Sequence, residues 1–203
     1  MEMMRDRLTQ FGKSYTSGIA WGWTACRVDQ EPTFRRLLEN LKPTNILEIG
    51  THQGVSTALL AEYGDVITVD ILPNPQREKV WEFLGVTGRI EEHVHKIQDK
   101  RDAEIVRAAK LSDLAFIDGS HMMRDLEYDF GLVASAGCKQ IILHDYWENE
   151  ENWPDVKTFT DRLIEDQPYA VADPTGCFGL SPRRLSIEVY KPFVYVEVLN
   201  DLV

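Results

Sequence analysis

NILEIGTHQGVSTALLAEYGDVITVDI, residues 45–71, decides the fold. Two apolar runs, residues 46–49 and 66–71, are each short enough for a buried strand and leave a helix-length segment between them. This is the pattern of a β-α-β unit. The first run ends in Glu48-x-Gly50-x-x-x-Gly54, a sharp turn with little side-chain bulk where a ligand could approach the next helix's N-terminus. The alternative is an ordinary strand-to-helix turn whose glycines serve close packing. The second run ends in Asp70, placed to accept hydrogen bonds from the two hydroxyls of a ribose.

Thr51 and His52 follow Gly50, so the turn lacks the second glycine of G-x-G-x-x-G, which lets a pyrophosphate lie against bare backbone. An NAD-linked oxidoreductase is disfavoured on that ground.

The same alternation continues outward from the central unit. Upstream, Phe34, Leu37, Leu38 and Leu41 mark an amphipathic helix behind Pro32. Residues 1–30 show no clean period and read as an arm or lid with Trp21 and Trp23 as anchors, ahead of a single domain over residues 31–203. Downstream, a helix opens at Asn74-Pro75, runs through the apolar Val80, Phe83 and Leu84, and stops at Gly85. A third strand is expected at the end of residues 90–97, with Gln98 and Asp99 at its tip, and Asp102 as the cap of the following helix. His93 and His95 read as surface residues, since two imidazoles at i, i+2 with no third partner nearby make a poor metal site.

Residues 114–117 form a buried-strand run closing on Asp118-Gly119-Ser120-His121, and residues 141–143 form another closing on His144-Asp145-Tyr146. Open α/β sheets bind ligands at these carboxyl ends. Met123, Leu126, Phe130 and Val133 mark the helix between them, and Pro154 opens one beyond. The tail has strand character over residues 169–172, 185–190 and 193–199, which suggests an antiparallel hairpin. Residues 193–199 are apolar enough for an exposed edge or a homodimer contact.

Composition narrows the function. A net charge of −11 without a basic stripe would repel a phosphate backbone, which excludes nucleic acid as a partner and favours a small-molecule substrate. More than half of that charge lies in residues 145–166, read as a solvated loop and helix face. The apolar runs are too short to span a membrane and no apolar leader follows Met1, so a cytoplasmic protein is expected. Cys26, Cys138 and Cys177 are odd in number with no C-x-x-C, and are expected as buried apolar residues.

With these motifs in place, the chain resembles the class I S-adenosylmethionine-dependent methyltransferases over residues 31–181. FIDGSHMMRDLEYDF and IILHDYW resemble more narrowly the small-molecule O-methyltransferase branch that reads FIDG-x-H at the fourth strand. The resemblance implies an α/β, Rossmann-like doubly wound sheet of seven strands, one of them antiparallel. It also implies S-adenosyl-L-methionine held by Glu48, Gly50, Thr51, Gly54, Ser56, Asp70, Asp99 and Asp118. Asp118 and Asp145, with His144 as a third ligand, are candidates for Mg2+ or another divalent cation. His144 and Asp145 are adjacent, so both can face one ion only if the strand turns there. Met122 and Met123 stand where the branch often has a Tyr, and His144-Asp145 replaces its Asp-Asp or Asp-Asn, which leaves metal use and acceptor class open. In catechol-type relatives the residue three after the strand-end Asp is a catalytic Lys. Here it is His121, a candidate general base beside Asp118 and Asp145. The competing function class is a non-catalytic binding module, which would have no reason to keep all these groups at strand ends.

Overall fold

The computed structural model describes residues 30–96, 98–146, 153–165, 169–171, 181–183 and 185–199. Helix α1 (Glu31–Leu41) leads into β1 (Asn45–Ile49), then α2 (Val55–Leu60), β2 (Asp65–Asp70), α3 (Gln76–Leu84), a 3-10 turn (Thr87–Arg89) and β3 (Ile90–Val94). Next come α4 (Gln98–Leu111), β4 (Leu114–Ile117), α5 (Met123–Ala136), β5 (Gln140–Leu143) and α6 (Pro154–Glu165). Strands β6 (Tyr169–Val171), β7 (Ser181–Arg183), β8 (Leu185–Tyr190) and β9 (Phe193–Val198) complete the order.

Seven strands form one sheet in the order β3-β2-β1-β4-β5-β9-β8, and β6 pairs with β7 separately. Strands β1 to β5 pair in parallel. Strand β9 runs against both β5 and β8, so it alone opposes the rest. This is the doubly wound sheet with one antiparallel strand that the sequence led us to expect. The strand order reverses between β1 and β4, and a crevice for ligands opens at such a switch point.

Continuous apolar strands follow from burial on both faces. Leu47, Ile49, Ala115, Ile117 and Ile141 pack with Ile105, Phe130 and Phe159 in one core. The intervening residues Ile46, Val66, Leu114, Phe116 and Ile142 pack with Phe34, Leu59 and Trp81 in the other. Cys138 is free and buried, and burial pushes its thiol up to about 12, as suits a small apolar residue. Cys26, Cys177 and residues 1–29 of the expected arm lie outside the described residues.

One local contact is added and three local expectations are corrected. In α3 the buried aromatic is Trp81, while Phe83 is exposed. Trp81 donates Nε1–H to the Gly54 carbonyl at 2.8 Å, a contact between sequentially distant residues that local spacing does not specify. Strand β3 occupies the start of residues 90–97 rather than the end. Helix α4 therefore begins at Gln98, which puts Asp99 exposed in its first turn rather than at a strand tip. Asp102 lies inside α4 and caps nothing, because its carboxylate accepts from Gln98 Nε2 at 2.8 Å and from the Tyr128 hydroxyl of α5. Finally, β9 is interior, with Phe193, Val194, Tyr195, Val196 and Val198 buried, so the run is covered by β8 and is not an exposed edge.

Candidate active site at the carboxyl ends of the strands

The turn after β1 is held by Asp70 from the end of β2. Asp70 Oδ2 accepts from the backbone N–H groups of Thr51 (3.1 Å) and His52 (2.9 Å) and from Arg77 Nη2. Its Oδ1 accepts from the N–H groups of Ile71 (2.6 Å) and Leu72 (3.1 Å). These five donors exceed the roughly four lone-pair sites of a carboxylate, so a ribose hydroxyl reaching Asp70 must replace one of them. Arg77, 1% exposed, also donates to Glu92 at 2.5 Å and to the His52 carbonyl at 2.7 Å, tying the turn to β3.

Several residues expected to line the ligand face inward. A Cβ on Gly50 would lie 2.2 Å from the Asp118 carbonyl oxygen, and one on Gly54 would lie 2.6 Å from Trp81 Nε1. Both glycines thus serve protein packing. Glu48 is fully buried, and its carboxylate accepts from the hydroxyls of Ser56 (2.6 Å), Thr57 (2.5 Å) and Thr68 (2.7 Å). Thr51 Oγ1 joins the cluster through Thr68 Oγ1 at 2.6 Å. Glu48, Thr51 and Ser56 therefore support the turn from beneath with their side chains. The loop does offer one unused group that sequence reasoning missed: Gln53 Oε1 is buried and has no hydrogen-bond partner. A buried acceptor without a donor is costly, and a ligand donor would satisfy it. No sequence signal marks this atom, since only the folded loop hides it from water.

Burial raises the Glu48 carboxyl from 4.5 to about 7, with the hydroxyl bonds opposing that shift and the Asp118 charge adding to it. A raised carboxyl binds its proton more tightly in the folded chain, so its contribution is fully present below about pH 4.5 and is lost as pH rises to about 7. Glu48→Gln should therefore match the native stability near pH 4.5 and exceed it by on the order of 3 kcal/mol at pH 8. Urea unfolding at both pH values checks this. An equal loss at both would mean that the hydroxyls hold an ionised carboxylate.

At the tips of β4 and β5 the structure brings together Asp118, His121, His144 and Asp145. Asp145 has φ +62°, left-handed backbone that Asp tolerates better than most residues, and this turn lets adjacent His144 and Asp145 face the same neighbour. His144 Nδ1 is 3.0 Å from Asp118 Oδ1 and 3.4 Å from Asp145 Oδ1. His121 Nε2 is 2.8 Å from Asp145 Oδ2 and 3.9 Å from Asp118 Oδ1. One ligand atom from each of Asp118, His144 and Asp145 lies within 4.8 Å of the others, a spacing that side-chain rotation can close on one cation. Burial disfavours a charged His144, but Asp118, by charge and hydrogen bond, and Asp145 outweigh it and leave the imidazole's pKa raised. His144 Nε2 meets Gln30 Oε1 at 3.1 Å, so the described end of the N-terminal segment reaches this cluster. Trp153, ahead of α6, stacks on the His121 ring with centroids 4.0 Å apart.

Residues 47–146, which contain the turn and all four strand-end groups, match a family model described as a methyltransferase domain. Over these residues the chain is similar to a methyltransferase domain. Solved structures agree with this domain in fold. An O-methyltransferase from Bacillus cereus in complex with SAH superposes with TM-score 0.61 at 15% identity, covering 98% of this chain and 92% of that one. The O-methyltransferase TomG from Streptomyces achromogenes, involved in tomaymycin synthesis and solved with SAM, gives TM-score 0.60 at 15% identity over 98% and 91% of the two chains. MycE from the mycinamycin biosynthetic pathway, solved with Mg and SAH, gives 0.59 at 16% identity over 95% of this chain. The present chain spans 54% of MycE's length. No curated protein matches the chain by sequence. No described helix of the methyltransferase domain is long and apolar enough to cross a membrane.

Proposed function

We propose that this methyltransferase methylates a hydroxyl of a small molecule, with residues 31–203 acting as one domain. The observation that carries the reading is the meeting of Asp118, His121, His144 and Asp145 at the tips of two adjacent parallel strands. The unpartnered Gln53 Oε1 in the turn after β1 supports a ligand there that brings a hydrogen-bond donor, as the amino and hydroxyl groups of S-adenosylmethionine do.

When bound, S-adenosylmethionine supplies a methyl on a sulfonium, which moves to the acceptor oxygen as the sulfur leaves as a thioether. Gln53 would accept from this cofactor, and Asp70 would take the ribose in exchange for one of its loop donors. Asp118 lies beside the turn from which the cofactor is held, its N–H donated to the Ile49 carbonyl at 2.9 Å. Asp99, exposed on the first turn of α4, is in reach of solvent for an adenine contact. Asp118, Asp145 and His144 fit a divalent cation, which when bound lowers the pKa of an acceptor hydroxyl. Two carboxylates and an imidazole suit Mn2+ or Zn2+ as well as Mg2+. With Nε2–H donated to Asp145, His121 keeps its Nδ1 lone pair to take the acceptor's proton. The stacked Trp153 fixes the ring and offers an aromatic face to the acceptor.

Calorimetry with S-adenosylmethionine should show saturable binding that Gln53→Ala weakens by about 1 kcal/mol. Mass spectrometry on a panel of phenols and sugar alcohols should then show one added methyl. Saturable NADH binding without any response to S-adenosylmethionine would overturn the assignment.

A further inference from the structure

Glu91, His93 and His95 alternate along β3 and its continuation, so their side chains share one face of the strand. The ladder carries on through His95, whose N–H donates to the Asp70 carbonyl at 2.9 Å. In sequence these imidazoles have no third ligand, but the fold supplies one. Glu104 of α4 packs over the same face, and one ligand atom from each of His93, His95 and Glu104 lies within 4.8 Å of the others. Glu91 Oε1 is 2.7 Å from His93 Nε2 and lies beside this trio without joining it.

A guanidinium already lies among these groups. Arg107 Nη2 is 2.5 Å from Glu104 Oε1, 2.7 Å from Glu91 Oε1 and 3.3 Å from His93 Nε2. The Arg107 side chain is 43% exposed, so it can withdraw into water at little cost. The cluster thus attracts a cation and holds one that is replaceable.

We propose that His93, His95 and Glu104 form a second cation site, selective for Zn2+ or a similar transition metal, that clasps edge strand β3 to α4. Two imidazoles and carboxylate oxygens are the donor set such ions prefer, at about 2.0–2.2 Å, whereas Mg2+ favours oxygen alone. Tetrahedral donors at that radius sit roughly 3.3 Å apart, so the side chains need to close by about 1.5 Å at most, within reach of torsional adjustment. Strand β3 is an edge strand paired only with β2. Three strand spacings separate it from β4, on the order of 14 Å, so the site is independent of the Asp118 cluster.

The test uses the full chain, stripped with chelator and carrying Asp118→Asn and Asp145→Asn so that the other cluster contributes nothing. Calorimetry with Zn2+ should give a single site per chain, and Co2+ should give the visible bands of a tetrahedral nitrogen–oxygen site. His93→Ala and His95→Ala should each weaken Zn2+ by about tenfold or more. Arg107→Ala, which removes the competing cation, should tighten it several-fold. Circular dichroism checks that each variant is folded, and Glu104→Gln serves as a further probe if a histidine variant is not. A chain that binds no Zn2+, or binds it equally without either imidazole, overturns the proposal, as does an Arg107→Ala variant that binds Zn2+ more weakly.

Discussion

Gly50→Ala is expected to cost about 2 to 5 kcal/mol, a large fraction of the stability of a domain whose total is on the order of 5 to 15 kcal/mol. Two effects add. Gly50 has φ +96°, where a Cβ costs roughly 1 to 2 kcal/mol of backbone strain. The new Cβ would also sit 2.2 Å from the Asp118 carbonyl oxygen and 2.7 Å from the Gly119 Cα, both backbone atoms of the turn that follows neighbouring β4. Neither can give way easily, because Gly50 N–H is bonded to the Val69 carbonyl and Asp118 N–H to the Ile49 carbonyl, each at 2.9 Å. Overpacking of this kind costs typically about 1 to 3 kcal/mol more. Gly54→Ala should be milder, since its Cβ meets a side chain, Trp81, rather than backbone. Urea unfolding of both variants measures the difference. A Gly50→Ala chain within about 1 kcal/mol of the native one would show that β1 and β4 can separate at this point.

The same glycine shows what a sequence can and cannot disclose. Its position after an apolar run reveals the strand-to-helix turn, because backbone constraint is local. What fills the space beside it is the turn after β4, nearly seventy residues away, which no local pattern reports. Glu48 is legible as a strand-end acid, but its burial depends on Ser56, Thr57 and Thr68 closing over it from two other elements. Asp118, His121, His144 and Asp145 were legible as site candidates because parallel strands bring their carboxyl ends together whatever the loops do. Whether His144 and Asp145 face the same way was not, since it rests on one left-handed residue. The tail strands were legible as strands. The placement of β9 between β5 and β8 was not, because it requires the chain to cross past β5 before returning.

His121→Ala should lower turnover by about 10²-fold or more while leaving S-adenosylmethionine affinity unchanged, if His121 takes the acceptor's proton. The geometry divides the work of Asp145: its Oδ1 faces His144 at 3.4 Å and its Oδ2 faces His121 at 2.8 Å. One oxygen can thus serve a cation while the other orients the base. His121 is three-quarters buried and its ring is pinned by Trp153, so the loss of the ring leaves a space into which free imidazole could diffuse. Added imidazole should therefore restore part of the turnover of His121→Ala, an effect that a merely structural histidine would not produce. Asp145→Asn should reduce turnover as well, and imidazole should not rescue it, because the missing group there is the carboxylate that orients the base. If His121 instead ligates a metal, the His121→Ala chain should be impaired only at low Mg2+ and recover as Mg2+ is added. Single-turnover measurements with saturating S-adenosylmethionine separate the cases, and a variant as fast as the native chain would remove His121 from the mechanism altogether.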